Sequence, residues 1–136
     1  MDAFKKMLNS RDFDNISLSK AEAFAAIGVC ALAADNLLVP DEMEHLLLLL
    51  SEIPLFKGYS QQRKNKMLNF LLELVRRKGI ETTIVKAKET LPPELRSAAF
   101  QVAKEIIWSD GEYHPTEEAF LQHLRQVLEL PEEPDS

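Results

Sequence analysis

Apolar positions along this chain recur at the three- and four-residue spacing of α-helices, and no stretch alternates with the two-residue period of a strand. The first clear element begins at "SKAE", Ser19 to Glu22, which reads as a capping box. It opens a helix through "AEAFAAIGVCALAA" that is apolar on nearly every face, so it is expected at the centre of the fold. That helix should end near Asp35-Asn36, where Asn tolerates a left-handed backbone. Pro40 suits the first turn of a second helix through "DEMEHLLLLL", and Pro54 stops it.

After the loop "KGYSQQ", Ser60 is the expected N-cap of a long helix running to Lys78. Its apolar stripe is Met67, Leu68, Leu71, Leu72 and Val75. Arg76, Arg77 and Lys78 suit the negative end of its dipole, and Gly79 is the expected stop. "IETTIVKAKETL" predicts a shorter helix, against which the β-branched run Thr82 to Val85 argues. Pro92-Pro93 ends it and begins the next, where Leu95, Ala98, Ala99, Val102 and Ile106 keep helical spacing. A last helix starts at Pro115 and carries Phe120, Leu121, Leu124, Val127 and Leu128. A short helix over residues 4–8 is a further expectation. The pattern predicts an all-α fold, a compact bundle of about six or seven helices. It forms a single domain over residues 17–130, with an N-terminal segment 1–16 and a polar tail 131–136.

Composition agrees with one soluble core: 136 residues, 46% hydrophobic and 28% charged. A net charge of −6 argues against nucleic acid and anionic membranes as partners and fits cations or basic partners. The one cysteine, Cys30, sits in "AIGVCALAA" and is expected as a buried, inert thiol. Without a disulfide framework or an apolar leader in "MDAFKKMLNS", a cytoplasmic setting is expected. The longest apolar run, Ala23 to Ala34, is 12 residues, too short for a membrane span.

The chemistry comes from an internal echo. "ALAADNLLVPDEMEHL" and "IIWSDGEYHPTEEAFL" align without a gap at a constant offset of 75 residues. Asp35 meets Asp110, Asn36 meets Gly111, Pro40 meets Pro115, Glu42 meets Glu117 and Leu46 meets Leu121. Each copy joins two helices by a short loop, which predicts a pseudo-two-fold pair of helix–loop–helix repeats. The spacing is too short for an EF-hand, whose loop takes about 12 residues and alternates its ligands.

Helical phase aims the four acids inward. Asp110 extends the stripe of Val102 and Ile106, and Asp35 follows Ala31 and Leu32 on the all-apolar helix. Glu117 shares a face with Phe120 and Leu121, and Glu42 with Leu46 and Leu49. The plain reading of each Glu is complementing the first turn of a helix, and of each Asp an Asx-type turn. If the repeats pack together, four carboxylates meet. No Lys or Arg stands between Asp35 and Leu50 or between Ser109 and His123 to compensate them. A hard divalent cation, Ca²⁺, Mg²⁺ or Mn²⁺, is then the natural counter-charge.

With "ALAADNLLVPDE", "LPPELRSAAFQVAKEI" and "IIWSDGEYHPTEE" in hand, the chain resembles the TerB-like family, named for tellurite resistance. The resemblance implies acidic residues gathered mid-bundle, with Asp35, Glu42, Asp110 and Glu117 at a divalent-metal site. It also implies a non-enzymatic role in stress response through protein partners, in membrane-associated assemblies. Further copies of the chain are another expected partner, and neither nucleic acid nor a membrane span is. Asn36 stands where the family has Gly, and Leu37-Leu38 makes that loop more apolar. The competing readings are a metal-dependent hydrolase or oxidase using the same acids, and a structural interaction domain without metal.

Other constellations weigh less. Glu42-x-x-His45 is half of a di-iron motif, but Phe120 replaces the second histidine. His114 suits a loop and His123 a solvent-facing position. "QQRKNK" reads as a solvated helix face, and Trp108 as a core aromatic.

Overall fold

The computed structural model describes residues 17–34, 40–108 and 115–131. Among them are five α-helices: α1 (Lys20–Ala34), α2 (Pro40–Ser51), α3 (Gln61–Thr90), α4 (Pro93–Trp108) and α5 (Pro115–Val127). A short 3-10 helix, Pro54–Phe56, lies between α2 and α3, and the described residues hold no strand. The expected helix over residues 4–8 and the Asp35-Asn36 turn lie outside the described residues. No described helix is long and apolar enough to cross a membrane.

α1 is the hub. Ser19 and Glu22 close the capping box reciprocally: the Ser19 amide donates to Glu22 Oε1 at 2.8 Å, and the Glu22 amide donates to Ser19 Oγ at 3.1 Å. From Ala23 to Leu32 every residue is buried. A helix without a polar face must be enclosed by its neighbours. α1 packs most extensively on α3 and next on α4. Its small side chains allow close approach. A Cβ placed on Gly28 would stand 2.7 Å from Leu46 Cδ1, so α2 crosses α1 where α1 has no side chain. Phe24 meets Phe56 edge-on at 6.0 Å between ring centroids, and Phe56 meets Tyr59 at 5.5 Å. The 3-10 turn thus plugs one end of the core.

α3 is two helical segments joined at a kink, and the kink stands at Gly79, where the sequence predicts a stop and a shorter helix beyond it. Gly79 takes φ 89°, ψ 165°, and the chain resumes helical geometry at once. The β-branched run beyond it is helical because burial overrides its weak propensity. Ile84 and Thr83 are fully buried, and the Thr83 hydroxyl donates to Gly79 O at 2.8 Å. At the helix start, Ser60 accepts from the Arg63 amide at 3.0 Å, as expected.

"QQRKNK" is the expected solvated face at every position except Lys64. Lys64 is buried, and its ammonium donates to Ser51 Oγ, whose hydroxyl in turn donates to Leu47 O at 2.9 Å. α2 has no basic residue in its own last turn, so Lys64 brings a cation from α3 to the negative end of α2. At the opposite end, Arg96 donates to Leu91 O at 2.8 Å and gathers the chain ends after α3 and α5. Glu129 sits in the left-handed region (φ 59°) and ends α5 with a Leu130-to-Arg125 backbone bond. A hydrogen bond and charge from Lys88 hold its carboxyl below the usual range.

Candidate functional site

Both motif helices begin on their proline. α2 starts at Pro40 and α5 at Pro115, so the two copies enter their second helix at the same repeat position. Glu42 and Glu117 therefore fall in the first turn of each, where the helix dipole favours a carboxylate. Asp35 and Asp110 lie outside the described residues.

Inward helical phase placed Glu117 well. It is 5% exposed, and with Lys64 it makes up the buried charged residues among those described. Glu42 is half-buried, so the expected inward lean holds for part of its side chain only. Both carboxylates nevertheless close an oxygen off from solvent, Glu42 Oε1 and Glu117 Oε2. Among the described residues, Glu42 Oε1 has no hydrogen-bond donor. The nearby cationic candidate is His45, whose Nδ1 lies 3.8 Å from that oxygen one helical turn on. A buried acceptor without a donor costs about 1–3 kcal/mol. Such an oxygen is a place where a cation or a donor gains most. Among the described residues, no group of three or more His, Cys, Asp or Glu is gathered to hold a metal ion. The two described acids are thus half of the sequence-derived set.

The remaining histidine expectations divide. His114 lies outside the described residues, and His123 is exposed as expected but pairs with Glu81 of α3. Cys30 is fully buried, with Ile80 O 3.8 Å from Sγ. Burial first, and the charge of Glu81 second, push its thiol far above the ordinary value of 9.0. A thiol whose folded pKa is raised contributes its full stability below the unfolded value. Above that value the unfolded chain sheds a proton that the folded chain keeps. Stability should therefore fall above pH 9.0. The thiol's share is up to about 1.4 kcal/mol per pH unit. Urea melts of the chain and of Cys30→Ala between pH 8 and pH 10.5 check this; equal slopes for both would refute it.

Trp108 is the clearest correction: it is 57% exposed and does not enter the core. It forms one wall of a groove of about 480 Å³ between α4 and α5, floored by Phe100 and Leu121 and edged by Lys104 and Arg125. The Lys104 ammonium stands 4.9 Å from the Trp108 ring centroid and 5.8 Å from that of Phe100. The Arg125 guanidinium is 5.2 Å from the Phe100 centroid. Sequence reasoning passed over this feature, although Phe100, Lys104 and Trp108 recur every fourth residue and so share one helix face.

No protein-family model, no curated protein and no solved structure matches this chain.

Proposed function

We propose that this chain is a non-enzymatic, divalent-cation-binding helical module of the TerB-like kind that works through protein partners in a stress response. The cation would be held by Glu42 and Glu117 together with Asp35 and Asp110. The observation that carries this reading is the enclosed Glu42 Oε1, which has no donor among the described residues. It stands at the repeat position equivalent to the buried Glu117. All-oxygen ligands select Ca²⁺, Mg²⁺ or Mn²⁺ over softer-site metals. The common start of α2 and α5 on Pro40 and Pro115 supports a pseudo-two-fold pairing of the two helix–loop–helix units. A structural reading without metal draws support from the first-turn position of both glutamates, where a carboxylate complements the helix dipole unaided.

Titration calorimetry with each of the three ions separates the two. Binding is expected for at least one ion, with loss of that binding in the Asp110→Asn, Glu117→Gln double variant. The melting temperature should rise with the ion, equivalent to about 2.7 kcal/mol at a hundredfold excess over Kd. No heat from the native chain, or undiminished binding by the double variant, would leave the acids as helix-end groups only.

A further inference from the structure

We draw no further inference here: the strongest candidate, the small cleft between the first turns of α1 and α3, is a pair of helix N-termini whose polar side chains are already engaged, Ser19 with Glu22 and Arg63 with Tyr59, and none of its polar lining residues is buried.

Discussion

Replacing Phe24 by Ala should destabilise the folded chain by about 3–5 kcal/mol, the cost of emptying a buried aromatic site. Phe24 is 1% exposed on the hub helix α1, and its ring meets Phe56 edge-on at 6.0 Å. Removing it loses the burial of the ring and the aromatic pair, and leaves a space that its rigid neighbours fill only in part. The flanking residues on α1 are alanines, whose single methyl groups cannot reach into the gap. A domain of this size has roughly 5–15 kcal/mol in total, so a large part of its stability is at stake. Urea denaturation should show a lower midpoint at an unchanged slope. Val85→Ala, on an exposed position of α3, is the matched control and should shift stability by less than about 0.5 kcal/mol. A Phe24→Ala loss below about 1 kcal/mol would contradict the enclosure of the ring.

Gly79→Ala should cost about 1–3 kcal/mol, although it puts a better helix former into a helix. The backbone at φ 89°, ψ 165° lies in a region that only glycine occupies freely. A Cβ there would meet nothing within 4 Å, so the whole cost comes from backbone strain rather than a clash. The alternative open to the variant is a straight α3. Straightening would swing Thr83, Ile84 and Ala87 away from the core, where all three are fully buried. Neither escape is cheap. Thermal and urea melts should agree on the loss. A neutral or stabilised Gly79→Ala would mean that the break in α3 is not required by packing.

Features set by a few neighbouring residues were legible in the sequence. The capping box at Ser19 and Glu22, the Ser60 cap and the prolines that open α2, α4 and α5 all stand where the residue order puts them. Each depends on side chains within one turn of the atoms they serve. Gly79 ends one helical segment where the sequence predicts it, and the shorter segment beyond it forms, despite its β-branched run, because the core receives Ile84 and Ala87. Lys64 and Trp108 were misread for a tertiary reason. Lys64 goes inward because the end of α2 arrives beside it, and Trp108 stays outward because its face of α4 meets Lys104 and the groove. The end of α2 and the α5 side of that groove are brought there by the fold, not by residues within a helical turn. At the carboxylates, helical phase alone placed Glu117 inside. For Glu42 it is right about one oxygen and incomplete for the side chain, since α2 leaves part of that face open.

The burial of α1 on every side has a consequence for the chain before it is folded. A surface helix can form early with its polar face in water, but α1 has no such face to offer. Its main partners α3 and α4 lie tens of residues downstream, so most of its stabilising contacts await distant segments. Until they arrive, the apolar run from Ala23 to Ala34 is the stretch most prone to stick to another chain. The residues that hold the finished bundle together are thus also its principal hazard during synthesis and refolding.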